Sequence, residues 1–231
     1  MALETVFLDA GGVLLYPNWW RVSDELAERG VNVSPAALID ADPRARRQLD
    51  DLQVIGATTD ASRGWLFFDL VLEHAGIPRS DATSAALESL HRYHTASNLW
   101  EYVPEDVVPA LEALRRRGLK LVVVSNANGT LLAHMKRLGM TERFDHIFDS
   151  SDEGVEKPDP RFFEIALGRS GAQKETTIHV GDLYHVDVLG ARSAGLRGVL
   201  LDEADLRPDA DCPRVRTLDE LVKRIEAGEF D

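Results

Sequence analysis

Four short stretches of this chain carry residues whose type and placement could do chemistry on an anionic group. Asp9 directly follows the apolar run Val6, Phe7, Leu8 and precedes Ala10, Gly11 and Gly12. Ligands of open α/β sheets bind at the carboxyl edge of the strands, so a carboxylate there is placed to act as a nucleophile or metal ligand. The same residue could equally open a glycine turn. Ser125 closes Val122-Val123-Val124 and is followed by Asn126, Ala127, Asn128 and Gly129. A hydroxyl and several main-chain N–H groups would thus stand at a strand end ahead of a helix, whose dipole favours an anion. Alone, such a serine more often serves a turn or cap. Lys157 immediately precedes a helix start marked by Asp159 as cap and Pro160 as first residue, although a lone lysine is ordinarily solvated. The sharpest stretch is Gly181-Asp182 with Asp187 beyond it, following Ile178-His179-Val180. Two carboxylates beside a strand terminus suit a hard, oxygen-seeking cation such as magnesium, while Asp187 could also be a helix N-cap.

Elements of one kind would bring these stretches to a common edge. Apolar runs at Val6 to Leu8, Leu119 to Val124, Ile147 to Phe148, Ile178 to Val180 and Val199 to Leu201 each have the length of a buried strand. Helical patterns separate most of them. Val107, Val108, Leu111 and Leu114 share one helix face, opened by Pro104, Glu105 and Asp106 and closed by Gly118. Similar units run from Leu131 to Leu138 before Gly139, and from Val188 to Ala194 before Gly195. Strands alternating with amphipathic helices predict an α/β fold with a parallel sheet and helices on both faces. Residues 16–98 break the alternation with helical patterns only, so they are expected to form an inserted helical bundle. Residues 1–15 and 99–231 are expected to form the α/β core. Gly30, Gly56 and Gly76 with Pro78 cut the insertion into about four helices. Trp65, Phe67, Phe68, Leu70, Val71 and Leu72 belong inside it.

Composition narrows the function classes. With 44% hydrophobic and 28% charged residues the chain is neither disordered nor membrane-like. A formal charge of -13 disfavours a nucleic-acid or anionic-membrane surface, yet small phosphorylated substrates stay open because a metal or lysine can reverse the sign of one cleft. The single cysteine, Cys212, cannot form an internal disulfide, and no N-terminal run resembles a signal peptide. A reducing cytoplasm is the expected setting, with no nucleic-acid or membrane partner.

Asp9, Ser125, Lys157 and the Asp182/Asp187 pair occur in an order that resembles the haloacid dehalogenase (HAD)-like hydrolase superfamily. The insertion between the first and second signatures is similar to that of subfamily I, whose helical cap is of the C1 type. The resemblance covers the whole chain, and Asp187, Ala191, Ala194 and Gly195 look like the usual continuation of the fourth signature. It implies a Rossmann-like core and a hydrolase, a phosphatase acting on a small phosphorylated metabolite. Asp9 would be the nucleophile, forming an aspartyl-phosphate. Ser125, Asn126 and Lys157 would hold the phosphoryl oxygens, with Ser125 and Lys157 counted among the catalytic residues. Asp9, the Gly11 carbonyl, Asp182 and Asp187 would hold Mg2+. Phosphoryl transfer demands chiefly positioning and positive charge, which a metal and a lysine supply.

The pattern departs from the family at Gly11, where its phosphatases usually carry a second aspartate as general acid/base. Losing such a group costs roughly 10²- to 10⁴-fold in rate. Tyr16, just beyond the motif, and His185, His91 and His94 are candidate substitutes, each histidine being more readily explained as a surface or helix-face residue. Two other readings stand beside the phosphatase. A metal-independent 2-haloacid dehalogenase would use the same aspartate, but members of that branch usually lack the first acid of the fourth signature, here Asp182. A catalytically impaired phosphate-binding protein would keep the pocket without turnover. In the insertion, Trp19 and Trp20 read as bundle core before a ligand platform, and Arg44, Arg46 and Arg47 as a solvated helix face before a reader of a substrate carboxylate or second phosphate.

Overall fold

The computed structural model of the chain describes residues 2–51, 54 and 60–231. The chain divides into two compact units, one made of residues 1–15 and 103–231 and the other of residues 16–102. The second division falls beyond residue 98 because Tyr16 and Tyr102 exchange main-chain hydrogen bonds of 2.8 and 3.1 Å, which ties the last residues of the segment to its first.

The 16–102 unit contains helices α1 (Trp19–Ala27), α2 (Pro35–Leu49), α3 (Asp60–His74) and α4 (Asp81–Ser97). Gly30 and Gly76 follow α1 and α3 in the left-handed conformation at φ 78° and 77°, whereas Gly56 lies outside the described residues. Ser34 and Ser80 cap α2 and α4 through their side chains. The core of the unit joins Trp19, Val22, Leu26, Leu38, Phe67, Phe68, Val71 and Leu90. Trp20 does not share it: its side chain is exposed and its ring lies 5.2 Å from that of Tyr102. Arg46 also departs from a solvated face, since it pairs with a buried Asp42 at 2.5 Å, one turn earlier on α2.

The larger unit is built on a six-stranded sheet in the order β3-β2-β1-β4-β5-β6. The strands are β1 (Thr5–Leu8), β2 (Lys120–Ser125), β3 (His146–Asp149), β4 (Thr177–Gly181), β5 (Arg197–Leu201) and β6 (Arg214–Val215), and all neighbours pair in parallel. Helices α5 (Val107–Arg116), α6 (Leu131–Arg137), α7 (Ser150–Glu153), α8 (Pro160–Ser170), α9 (Leu189–Ser193) and α10 (Leu218–Glu226) connect and follow them. On one face Phe7, Val122, Val124 and Phe148 pack with Phe162, Phe163 and Ala166 of α8 and Ala191 of α9. The alternate residues Val6, Leu8, Leu121 and Val123 are also fully buried, so the sheet is covered on both faces. That double burial is why these strands read as continuous apolar runs rather than alternating ones. Register then fixes the edge: Leu8 stands opposite Val123 and Val180, and Ser125 opposite Asp149. Among the described residues no helix is long and apolar enough to cross a membrane.

Candidate active site

Residues that leave β1, β2 and β4 converge at the carboxyl edge of the sheet. The Asp9 N–H donates to the Val180 carbonyl at 2.9 Å, holding the residue one step past the strand. The chain then turns tightly, with the N–H groups of Leu14 and Leu15 donating to the Ala10 carbonyl at 2.9 and 2.8 Å. Gly12 makes this turn at φ 72°, a conformation that glycine adopts without steric cost. Asp9 Oδ1 accepts from the Ala10 N–H at 2.7 Å, so its carboxylate is oriented by its own loop.

Lys157 is 1% exposed and its ammonium bridges two carboxylates, lying 3.0 Å from Asp9 Oδ1 and 2.7 Å from Asp187 Oδ1. A solvated lysine is thereby ruled out. The helix after it begins as the sequence indicated, with Asp159 capping α8 and Pro160 as its first residue. The Ser125 hydroxyl lies at 3.5 Å from the Asn126 carbonyl rather than capping a helix, and it helps to lower the Asp9 carboxyl against the rise that burial causes. Asn126 turns its carboxamide to the Lys157 main chain, accepting from its N–H at 2.7 Å and donating to its carbonyl at 3.0 Å.

Asp187 does not cap α9. It lies within a π-helical turn, Tyr184–Val188, and its side chain points inward. Its Oδ1 accepts from Lys157 and from His179 Nε2 at 3.0 Å, and its Oδ2 accepts from the Leu183 N–H at 3.0 Å. Two glycines make room for this. A Cβ at Gly181 would overlap the Asp187 carboxylate, and one at Gly198 would come within 2.8 Å of the Val188 backbone. His179 is a site residue that no motif in the sequence marks. The available signal was a polar residue inside an apolar strand, which must find a buried partner.

One buried ammonium among several carboxylates sets the electrostatics. Burial pushes the Asp9 carboxyl up to about 6; Lys157 opposes that rise and Asp187 adds to it. Burial would also raise Asp187, but the Lys157 charge and the His179 hydrogen bond overcome it and hold this carboxyl well below its ordinary value. Lys157 resists the depression that burial alone would cause, and the two carboxylates keep it firmly charged. Burial lowers His179, which as a neutral ring donates Nε2–H to Asp187. Oxygens of Asp9, Asp182 and Asp187 all lie within 4.8 Å of one another. Three carboxylates against one ammonium leave an excess of negative charge, and an all-oxygen donor set of this kind fits a small hard divalent cation. Gly11, paired main chain to main chain with Leu15, brings no side chain to the site.

Of the four substitute acid/bases, His185 alone lies in the unit that contains Asp9, within the π-helical turn between Asp182 and Asp187. In the other unit, His94 Nδ1 accepts from the Leu99 N–H at 3.1 Å, and the His91 ring lies 4.4 Å from that of Trp65. Tyr16, also there, joins Tyr102 and carries the Arg46 guanidinium 5.3 Å above its ring.

The model of the haloacid dehalogenase-like hydrolases matches residues 3–195. Haloacid dehalogenase-like hydrolase domain-containing protein 3 of Mus musculus is 36% identical over 143 residues, which make up 61% of this chain and 56% of the mouse protein. The chain thus spans little more than half the length of that relative. Ribulose-1,5-bisphosphate 5-phosphatase of Halopiger xanaduensis is 33% identical over 162 residues, 68% of this chain and 66% of that protein. Among solved structures, the HAD-hydrolase YfnB of Bacillus subtilis bound to magnesium superposes with a TM-score of 0.69 at 18% identity, covering 97% of this chain and 99% of YfnB.

Proposed function

This chain belongs to the haloacid dehalogenase-like hydrolase family, and on that premise we propose that it is a magnesium-dependent phosphatase of small phosphorylated metabolites working through an aspartyl-phosphate on Asp9. The observation that carries the reading is the pairing of Asp9 with the buried Lys157 ammonium at 3.0 Å, with Asp182 and Asp187 within ligand distance of the same point. The phosphatase name of the Halopiger relative supports the substrate class.

In the first step an Asp9 oxygen attacks phosphorus, the new P–O bond forms, and the bond to the leaving oxygen breaks, that oxygen leaving with the electron pair and taking its proton from water. Lys157 and the Ser125 hydroxyl hold the phosphoryl oxygens as charge gathers on them. Magnesium, held by Asp9, the Gly11 carbonyl, Asp182 and Asp187, would supply further positive charge against those oxygens. Asp187 also keeps Lys157 charged and aimed. In the second step water attacks phosphorus and Asp9 departs as carboxylate. The water's proton needs an acceptor that position 11 does not provide, so this step limits turnover unless His185 or another group stands in. The helical unit 16–102 is read as the cap that selects the substrate.

The test is a panel of phosphorylated metabolites assayed with magnesium and with chelator. Phosphate release that requires magnesium is expected. Halide release from a 2-haloacid without metal, together with inert phosphate esters, would replace this reading with the dehalogenase one.

A further inference from the structure

Lys157 must hold its ammonium between two carboxylates, yet it belongs to no strand or helix. It lies in the turn that precedes α8, so neither ladder nor helix satisfies its main chain. Asn126 does so instead. One carboxamide closes both the N–H and the carbonyl of a residue 31 positions away, at 2.7 and 3.0 Å, much as a neighbouring strand would. The geometry of an amide matches this pair, because it offers one acceptor and one donor side by side.

Both ends of the clamp are themselves braced. On the Asn126 side, Asp149 accepts from the N–H groups of Gly129 and Leu131 at 2.9 and 3.2 Å, and Ser150 Oγ accepts from the Ala127 N–H at 3.1 Å. On the Lys157 side, the backbone of α9 packs against the next residue so closely that a Cβ at Gly190 would meet Pro158 Cα at 3.0 Å. The Lys157 backbone is therefore located from two directions, and its side chain reaches Asp9 and Asp187 from a fixed origin.

We infer that Asn126 is a positioning residue, whose carboxamide fixes the Lys157 main chain so that the ammonium is delivered between Asp9 and Asp187, and that it affects turnover only through Lys157. This assigns the Asn126 side chain a different task from direct contact with a phosphoryl oxygen. It rests on the reading of Asp9 and Lys157 as the reacting pair.

A kinetic double-mutant cycle separates the two tasks. With magnesium and a phosphate ester turned over by the native enzyme, Asn126→Ala is expected to lower kcat by roughly 10- to 100-fold with KM changed less than about threefold, as for a misplaced catalytic group. In a Lys157→Ala background the same change should alter kcat/KM by less than about twofold, because no ammonium remains to be placed. Asn126→Asp keeps the acceptor for the Lys157 N–H and loses the donor, so it should fall between the native enzyme and Asn126→Ala. Effects that multiply across the cycle, or a rise in KM at constant kcat, would overturn the inference in favour of a direct substrate contact.

A second arm needs no turnover. Lysine acetylation read by mass spectrometry should find Lys157 protected in the native protein. In Asn126→Ala or Asn126→Asp it should become labelled roughly tenfold faster, a local opening of its ion pairs. Lys120, whose ammonium donates to the Ser170 carbonyl in the same unit, should be unchanged. Unchanged Lys157 labelling, or an equal rise at Lys120, would overturn the positioning role. A native protein without phosphatase activity that still shows the selective rise would support the clamp while removing the function proposed above.

Discussion

Replacing Asp187 by asparagine keeps the side-chain shape and removes one charge at the most buried point of the site. In the native protein the Asp187 and Lys157 side chains are each 1% exposed and 2.7 Å apart, so solvent screens their attraction little. Removing one member of such a pair costs about 3–5 kcal/mol, because the remaining charge stays buried with less compensation. The three hydrogen bonds to the carboxylate all come from donors, namely Lys157, His179 and Leu183. An amide can accept only at one oxygen, so its NH2 group must face at least one of those donors. At about 2–4 °C per kcal/mol for a chain of this size, Asp187→Asn should lower the melting transition of the α/β unit by roughly 6–20 °C at neutral pH. The pH dependence carries a sign. The Asp187 carboxyl is held below its ordinary value of 3.8, so its stabilisation is complete above that value and fades as pH falls below it. The difference between native and variant protein should therefore shrink on acidification below about pH 4. Calorimetry of the whole chain across pH is the assay. A shift under about 2 °C at neutral pH, or a gap that widens in acid, would mean that the Asp187 carboxylate does not compensate the buried Lys157 charge.

Asp9→Asn should abolish phosphate release while leaving the far-ultraviolet circular dichroism unchanged, since an amide is nearly isosteric but is no nucleophile; comparable turnover by the variant would contradict this. Because Asp9 is raised to about 6, its ionisation costs stability as pH rises from the ordinary 3.8 through that value, and a bound cation relieves the cost. Stabilisation by magnesium in thermal-shift assays should accordingly weaken below about pH 6 and grow above it, and a pH-independent shift would speak against Asp9 as a ligand. Gly181→Ala should lower both stability and turnover, because its Cβ would displace the Asp187 carboxylate; a native melting temperature would show that Asp187 has another place to go. With Gly11 in the acid/base position, rapid mixing should show a burst of leaving group equal to the enzyme present, then slow turnover. Gly11→Asp should shrink that burst and raise the steady rate by up to roughly 10²-fold.

The parts of this architecture legible in the sequence are those where a residue's immediate neighbours determine its place. Val6 to Leu8 and Ile178 to Val180 are apolar runs because both faces of a parallel sheet are covered, and this alone brings Asp9 and Asp182 to one edge. Asp159 and Pro160 announce the start of α8 locally, and the structure starts it there. What escaped depends on partners distant in the chain. Nothing beside Asn126 indicates that its carboxamide will meet Lys157, and nothing beside His179 names Asp187. Val188 to Ala194 read as one regular helix, whereas the chain enters it through the π-helical turn at Tyr184–Val188 with the Asp187 side chain drawn inward to Lys157 and His179. Strand β6 has only two residues and no periodicity to read. Helix α10 carries its own local signals: Thr217 caps it, and Leu218, Leu221, Val222 and Ile225 form its buried stripe.

A nucleophilic Asp9 becomes bonded to phosphorus during turnover. Native protein mixed with a phosphate ester that it turns over and magnesium, quenched in acid within the first turnover and digested, should yield the peptide containing Asp9 heavier by one phosphoryl group, and chelator or Asp9→Asn should remove that species. Turnover with the Asp9 peptide unmodified at every quench time, or with the phosphoryl group on another residue, would contradict the account.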